Sequence, residues 1–236
     1  MNLPVAILAG GLATRLKPLT ETVPKSLLPV AGKPFAVHQL ELLARHGIDR
    51  VVLCVGHLGD QIADALGDGR CWNIHIDYVF DGPVQLGTAG ALKKALPYLG
   101  DAFLILYGDS YLDCDYAAIA RTFMVSGRLG LMTVFRNADR WGPSNILFSN
   151  GAIHRYDKTN HTADMNHIDY GVGALRSRVL DNYPADAPLD LVTVYQDLIS
   201  ASELAAIEVP MRFYEIGSID GLRETEQLLS GGKGKE

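Results

Sequence analysis

Strand-like and helix-like segments alternate along the first 80 residues of the chain. Apolar runs at 5–8, Arg50–Val55 and 74–80 are typical of strands in a buried parallel sheet. Between them, 35–46 and 57–66 read as helices, the first with apolar residues on one face. Because strands and helices alternate, we predict right-handed βαβ crossovers and an α/β fold with a single doubly wound, mostly parallel sheet.

The pattern changes after residue 127. Short strands are predicted at 130–135, 145–148 and Ala152–Tyr156, and Asn150-Gly151 is a hairpin signal between the last two. The end of the chain predicts a helix at 189–200, a strand at 205–209 and a helix at Ile219–Leu229. The second part is therefore expected to be a small antiparallel subregion on the same sheet.

Length and composition are sufficient for one large domain. The chain has 236 residues, 48% of them hydrophobic, and we expect the domain to span 1–230. The Gly- and Lys-rich segment 231–236 is expected to be a disordered tail.

Charge and cysteine content exclude several classes of protein. A net charge of -6 argues against broad nucleic-acid binding, which depends on a basic face. No apolar run approaches the ~20 residues of a membrane span, and residues 1–8 lack the features of a signal peptide. Cys54, Cys71 and Cys114 lie far apart without CxxC spacing, which favours a reducing compartment. We therefore expect a cytoplasmic protein with no nucleic-acid or membrane partner.

The segment 8–30 follows the first predicted strand and carries basic residues. Gly10 and Gly11 suit a backbone that turns with positive φ and presents N–H groups to an anion. The window 9–33 has a net charge of +3, from four basic residues and one acidic residue: Arg15, Lys17, Lys25, Lys33 and Glu21. Two prolines prevent a continuous helix, which excludes a P-loop. The segment predicts a phosphate-binding loop, with an ordinary Gly-rich surface loop as the alternative.

A second glycine-rich turn, 82–92, follows the third predicted strand. Gln85 offers both a donor and an acceptor, as recognition of a base edge requires, and Gly87 leaves a flat space for a planar ring. A plain strand-to-helix connection with Thr88 as N-cap is the alternative.

An acidic residue follows the predicted strand Ala102–Tyr107. Asp109 comes directly after Gly108, and an acid at the carboxyl end of a parallel strand points into the crevice where ligands of such sheets bind. An Asx turn is the alternative.

The sequence GG-x-x-T-R-L-x-P-L-T followed by PK-S-L-L-P-V resembles the signature of the sugar-1-phosphate nucleotidyltransferases, the enzymes that make NDP-sugars. The resemblance implies a Rossmann-like, GT-A-like fold, with 1–127 as the nucleotide-binding half and 128–230 as the sugar-phosphate-binding half. It also implies that Arg15 contacts the leaving β/γ-phosphates and that Lys25 contacts the α-phosphate. The chain departs from the family at Ala13, where glycine is usual.

The same resemblance implies two sets of binding residues. The nucleotide set is Leu8, Ala9, Gly10, Gly11, Thr14, Arg15, Lys25, Gln85, Gly87 and Thr88. The sugar-phosphate set is Gly108, Gly142, Asp157, Lys158 and Asp169, in which Lys158 would hold the sugar phosphate. Two of these depart from the family, which usually has Glu at the position of Asp157 and Asn at that of Asp169.

A Mg²⁺ site is also implied by the resemblance. It assigns one metal-binding acid to Asp109, which with Arg15 and Lys25 completes the expected catalytic set. The second, usually Asp in the family, falls on Glu215, whose side chain is one methylene longer. The alternative for Glu215 is an ordinary glutamate at a strand end.

The expected reaction joins an NTP and a sugar 1-phosphate into an NDP-sugar with release of pyrophosphate. The segments YGDS and FYEIGS are most similar to short bacterial enzymes that act on D-glycero-D-manno-heptose 1-phosphate with GTP, so GTP is favoured. Uridylyl or thymidylyl transfer to a hexose 1-phosphate is the alternative, and a non-catalytic nucleotide-sugar-binding regulatory protein is an alternative of another class. The sequence leaves both a monomer and a homo-oligomer open.

Overall fold

The structure is a computed structural model that describes residues 2–185 and 187–231. In these residues the strands are β1 (Val5–Ala9), β2 (Pro29–Val30), β3 (Lys33–Pro34), β4 (Arg50–Val55), β5 (His75–Phe80), β6 (Ala102–Tyr107), β7 (Ser110–Tyr111), β8 (Gly130–Arg136), β9 (Ile146–Ser149), β10 (Ala152–Tyr156), β11 (His167–Arg176), β12 (Leu204–Glu208) and β13 (Tyr214–Glu215). The α-helices are α1 (Phe35–Arg45), α2 (Gly59–Leu66), α3 (Gly87–Leu99), α4 (Tyr116–Ser126), α5 (Leu191–Ser200) and α6 (Ile219–Leu229).

One nine-stranded sheet organises the chain. Strands β5, β4, β1 and β6 lie side by side in that order and pair in parallel. Strand β11 pairs antiparallel with β6 and with β8, β12 pairs parallel with β8, and the β9–β10 hairpin extends the sheet beyond β11. The predicted α/β class with a mostly parallel central sheet is confirmed, and the antiparallel strands belong to the same sheet.

Helices cover both faces of this sheet. On one face, α1, α2 and α4 bury apolar residues such as Leu40, Ile62 and Phe123. On the other face, α3 and α5 bury residues such as Leu92 and Val194. The sheet is therefore doubly wound, as the alternation of strands and helices predicts.

Most predicted elements begin or end within two residues of the observed ones, but helix α4 and strand β11 are missing from the prediction. For β11, the reason lies in its glycines. Two glycines interrupt its apolar pattern: Gly171 has φ 106°, and the pairing with β8 shifts register between Asp169 and Gly173. A Cβ atom at Gly173 would collide with the hydroxyl of Tyr195. These glycines serve close packing within a strand, although glycine in a sequence usually indicates a turn.

The two predicted halves share the central sheet, because β6 of 1–127 pairs with β11 of 128–230. In the predicted tail, Gly231 is described at the end of a turn after α6, whereas 232–236 lie outside the described residues. Among residues 2–185 and 187–231, no helix has the length and apolar character needed to cross a membrane.

Candidate active site

A cavity of about 500 Å³ opens at the carboxyl ends of β1, β4, β5 and β6. Every predicted nucleotide-binding residue except Arg15 lines it: Leu8, Ala9, Gly10, Gly11, Thr14, Lys25, Gln85, Gly87 and Thr88. Gly108 and Asp109 also line it, together with residues that the sequence reading did not assign: Leu12, Ala13, Ser26, Cys54, Asp81, Ala91 and Tyr107. The structure therefore brings the glycine loop, the turn that contains Gln85, and Asp109 to one edge of the sheet.

The prediction that the loop glycines adopt positive φ is wrong, and of the two it is Gly10 that serves close packing. A Cβ atom at Gly10 would lie 3.1 Å from Asp81 Oδ2 and 3.3 Å from Gly56 N, whereas Gly11 has open space around it. The left-handed residue of the loop is Ala13, with φ 48° and ψ 41°. An L-residue in this conformation costs about 1–2 kcal/mol. The alanine that departs from the family pattern therefore occupies the one strained position of the loop.

Lys25 and Asp109, 84 positions apart in the chain, form an ion pair inside the cavity. Lys25 Nζ donates to Asp109 Oδ2 at 2.6 Å, and the two side chains are only 19% and 26% exposed. Asp109 directly follows Gly108, whose missing Cβ lets the backbone approach Leu8 O and Ala9 at the end of β1. Two residues of the expected catalytic set are thus in direct contact.

Glu215 and Arg15 gather at the same place, around Gly217. Strand β13 pairs with β7, which aligns Glu215 with Ser110, and Ile216 N donates to Asp109 O at 2.9 Å. A Cβ atom at Gly217 would lie 3.3 Å from Asp109 Oδ2 and 3.7 Å from Arg15 Nη2. Arg15, Asp109 and Glu215 therefore converge at the rim of the cavity.

The two carboxylates have the chemistry of a Mg²⁺ site completed by a substrate. Within the described part of the chain, Asp109 Oδ1 accepts only a long bond from the Ser110 hydroxyl at 3.3 Å. Glu215 Oε1 accepts from the Ser218 hydroxyl at 2.7 Å, and Oε2 accepts from Gly217 N. A carboxylate has about four lone-pair positions, so both groups retain acceptor capacity. Since Mg²⁺ is commonly bound by one or two carboxylates together with substrate phosphates, this pair fits the ion.

The second glycine-rich turn, 82–92, differs from its prediction in two details. Gly87 has φ 71°, and its Cβ would lie 2.6 Å from Leu189 O, so the glycine accommodates a neighbouring segment. Thr88 does not cap α3, since its hydroxyl accepts from Leu191 N at 2.7 Å and contacts Asp190 Oδ1 at 3.3 Å. Gln85 Nε2 donates to Gly10 O at 3.4 Å, which places it next to the glycine loop.

Asp81 is a cavity residue that the sequence reading missed. It directly follows β5 and is only 8% exposed. Burial raises its pKa, which the Leu86 N–H and the charge of Lys94 counteract. The position rule that identified Asp109, an acid at the carboxyl end of a parallel strand, also applies to Asp81.

Cys54 lies at the floor of the cavity. Burial, with a smaller contribution from Asp81, raises the pKa of its thiol to about 12. The thiol is therefore protonated at neutral pH and does not act as a nucleophile.

Asp169, from the predicted sugar-phosphate set, is a carboxylate held by two tyrosines. Asp169 Oδ2 accepts from the Tyr156 hydroxyl at 3.2 Å and, more weakly, from that of Tyr107 at 3.5 Å, while Oδ1 accepts from Gly171 N at 3.0 Å. Lys158 Nζ lies 5.7 Å from the ring centroids of both tyrosines. Burial raises the pKa of Asp169, and Lys158 is the strongest opposing influence. Tyr107 ends an apolar strand and Tyr156 ends a strand of mixed apolar and polar residues, so neither shows a local sign of its contact with Asp169.

Asp157 and Gly142 are placed differently from the rest of the sugar-phosphate set. The Asp157 carboxylate caps its own turn, accepting from Thr159 N and Asn160 N at 2.9 Å each and from Arg155 Nη2 at 3.1 Å, and these bonds lower its pKa. Gly142, with φ 113°, lies in an exposed loop. Their sugar contacts therefore stay predictions.

The loop that carries Gly142 is fixed by a buried side chain. Asn137 Nδ2 donates to Gly142 O at 2.7 Å, and Asn137 Oδ1 accepts from Trp141 N at 3.2 Å. Asn137 was not assigned from the sequence, because a buried asparagine in a loop resembles any other turn residue.

Comparison with known proteins points to one family. Residues 5–143 match the family model described as Nucleotidyl transferase. N-acetylmuramate alpha-1-phosphate uridylyltransferase of Neisseria meningitidis serogroup B is 31% identical, covering 96% of this chain and 98% of that protein. UTP--glucose-1-phosphate uridylyltransferase of Synechocystis is 27% identical over 90% of this chain, which spans only 60% of that relative.

Solved structures agree with the fold. HddC from Yersinia pseudotuberculosis, also solved in complex with GMP-PN, has a TM-score of 0.79 at 25% identity. The match covers 96% of this chain and 99% of HddC. Other similar proteins are named as thymidylyl- and guanylyltransferases. The relatives thus differ in the nucleotide that their names specify.

Proposed function

This chain belongs to the nucleotidyl transferase family, and from that premise we propose that it transfers a nucleoside monophosphate from an NTP to a sugar 1-phosphate. Pyrophosphate leaves and an NDP-sugar forms. The observation that carries the proposal is the Lys25–Asp109 pair at 2.6 Å, in a cavity lined by the glycine loop and bordered by Arg15 and Glu215. This arrangement offers cations and metal-binding oxygens at the place where phosphates would meet.

The reaction needs charge neutralisation more than a side-chain base. A phosphate oxygen of the sugar 1-phosphate forms a bond to the α-phosphorus of the NTP, and the bond from that phosphorus to the pyrophosphate oxygen breaks. The nucleophile is already an anion, so no residue has to remove a proton. The protein must position two like-charged groups and stabilise the charge on the leaving pyrophosphate.

Each cation of the site has a separate role in this scheme. Lys25, held inside the cavity by Asp109, meets the α-phosphate, and Arg15, beside Gly217, meets the departing pyrophosphate. Lys158 meets the phosphate of the sugar from the side of Tyr107 and Tyr156. When bound, Mg²⁺ held by Asp109 and Glu215 would neutralise charge on the phosphate oxygens.

For the substrates, we propose GTP and D-glycero-D-manno-heptose 1-phosphate, with GDP-heptose for surface polysaccharide as the product. The two segments most similar to enzymes of that type, 107–110 and 213–218, both contribute to the site: Tyr107 contacts Asp169, and Glu215 lies beside Gly217. Uridylyl or thymidylyl transfer to a hexose 1-phosphate is the competing proposal, favoured by the names of several relatives.

The deciding experiment is a matrix of pyrophosphate-release assays. The full chain is incubated with Mg²⁺, each of GTP, UTP, dTTP, ATP and CTP, and each of a set of heptose and hexose 1-phosphates. We expect release that requires both substrates and is fastest with GTP and the heptose 1-phosphate.

Asp109→Asn is the inactive control for contaminating enzymes. Fastest release with UTP or dTTP and a hexose phosphate would replace the proposed substrates. Nucleotide or NDP-sugar binding without release from any pair would instead favour a non-catalytic regulatory protein.

A further inference from the structure

Asp81 provides a buried carboxylate in the cavity that the phosphate chemistry does not use. It lines the cavity and is 8% exposed. Its Oδ2 would lie 3.1 Å from a Cβ atom at Gly10 and 3.2 Å from one at Gly56, so the two glycines leave the room that this oxygen occupies. The carboxylate is therefore held at a defined position beside the glycine loop.

The protein supplies few donors to this carboxylate. The N–H of Leu86 favours its ionised form, whereas Lys94 Nζ donates to the backbone oxygen of Asp81 at 3.0 Å. Across residues 2–185 and 187–231, no side chain donates a hydrogen bond to the Asp81 carboxylate. The carboxylate therefore keeps open acceptor positions toward the cavity, and donors on a bound ligand would be stabilised by a charged acceptor there.

Asp81 and the Lys25–Asp109 pair flank the glycine loop on opposite sides. In the row β5-β4-β1-β6, Asp81 follows the first strand, Gly10 follows β1 and Asp109 follows the last strand. Gln85, on the same side as Asp81, donates to Gly10 O. A nucleotide whose phosphates lie at Lys25 would therefore direct its base toward Asp81 and Gln85.

We infer that Asp81 is a specificity-determining residue that selects guanine by accepting hydrogen bonds from N1–H and the 2-amino group of the base. This inference rests on the proposed nucleotidyl transfer and deepens it. Guanine carries these two donors side by side, which matches the two oxygens of one carboxylate. Uracil and thymine carry one N–H between two carbonyl oxygens that repel a carboxylate, and adenine and cytosine carry an amino group next to an acceptor nitrogen.

Equilibrium binding to the wild-type chain, without a sugar phosphate, tests the inference separately from turnover. Isothermal titration calorimetry would compare GTP, inosine triphosphate, UTP and dTTP. Inosine lacks only the 2-amino group, and losing one hydrogen bond to a charged acceptor predicts binding at least about tenfold weaker than that of GTP. UTP and dTTP should also bind to the wild-type chain at least about tenfold more weakly than GTP does.

The variant Asp81→Asn provides a second test, because it should bind one nucleotide more tightly than the wild type does. A merely structural role of Asp81 would not produce this increase in affinity. The amide can donate to the 2-oxo group of xanthine, so the variant should bind xanthosine triphosphate more tightly than the wild type does, and GTP at least about tenfold more weakly. Asp77→Asn is the matched control, because Asp77 lies on β5, pairs with Arg50 at 3.3 Å and is not among the residues that line the cavity. It should bind every nucleotide as the wild type does.

Three results would overturn the inference: equal wild-type affinity for GTP and inosine triphosphate, tighter binding of UTP or dTTP than of GTP, or an equal loss of affinity for all nucleotides in Asp81→Asn. If that variant does not fold, the wild-type comparison of GTP with inosine triphosphate decides alone. Guanine selectivity without pyrophosphate release would support the role of Asp81 while contradicting the proposed transfer.

Discussion

Asp109→Asn removes one negative charge from the centre of the proposed site and keeps the size of the side chain. The carboxylate has two functions in the proposed reaction: it holds Lys25 at 2.6 Å and it offers an oxygen to Mg²⁺. Both side chains of the pair are less than one-third exposed, so water compensates poorly for the lost charge.

The expected magnitude follows from these contacts. A hydrogen bond to a charged group contributes about 1.5–3 kcal/mol, and losing one preorganised electrostatic contact lowers kcat by about 10²–10³-fold. Since Asp109→Asn weakens the support of Lys25 and a metal ligand together, we expect turnover to fall by at least ~10²-fold. The amide still fits the space after Gly108, so the fold should persist.

The assay is pyrophosphate release at saturating substrates, with thermal melting to confirm that the variant is folded. Asp113→Asn is the matched control: its side chain is 61% exposed, and its salt-bridge partner is His46, outside the cavity. We expect this control to keep the wild-type rate. Release at the wild-type rate by folded Asp109→Asn would refute the assignment of Asp109 to the reaction centre.

Three further substitutions test separate parts of the structure. Lys25→Ala should lower kcat beyond any change in KM, because Lys25 is expected to stabilise the reacting α-phosphate; a change in KM alone would make it only a binding residue. Ala13→Gly should raise the free energy of unfolding in urea by about 1 kcal/mol, because φ 48° strains alanine, and an unchanged value would contradict that strain. Asp157→Asn should lower Tm at neutral pH, and the difference from the wild type should shrink as the pH falls from ~4 toward the lowered pKa of the folded state, because a carboxylate whose pKa is lowered by folding stabilises only while ionised. Parallel Tm curves across that pH range would count against this role.

Many residues that line the cavity could be predicted from the sequence, through the family resemblance and one geometric rule. Parallel strands end at one edge of a sheet, so residues that follow β1 and β6, among them Gly10 and Asp109, must be neighbours once the strands are identified. The rule needs only strand positions and polar residues at strand ends. It applies equally to Asp81, which was not predicted because it directly precedes a glycine-rich turn and resembles an ordinary turn residue.

Other parts of the site depend on contacts that leave no local pattern. Tyr107 ends the apolar strand β6, and Tyr156 ends β10, whose sequence mixes apolar and polar residues. Neither context indicates that both hydroxyls reach Asp169. The role of Gly87 likewise depends on Leu189, a residue that belongs to a distant segment. A pattern of apolar and polar positions indicates which face of an element is buried. It does not indicate which polar atom of a distant segment contacts a residue on that face.

Contacts between the two halves of the chain explain why neither half contains a complete site. Ala89 N donates to Leu189 O at 2.9 Å, and Leu189 N donates to Leu86 O at 2.8 Å. The turn 82–92 is therefore fixed by a residue from segment 128–230. In the opposite direction, the Tyr107 hydroxyl, from segment 1–127, donates to Asp169 of segment 128–230, and Tyr107 also lines the cavity. A substitution at Tyr107 could therefore affect both substrates at once. Under the proposed function, Tyr107 therefore connects the nucleotide and sugar regions, and we expect the specificities for base and sugar to be coupled through this side chain.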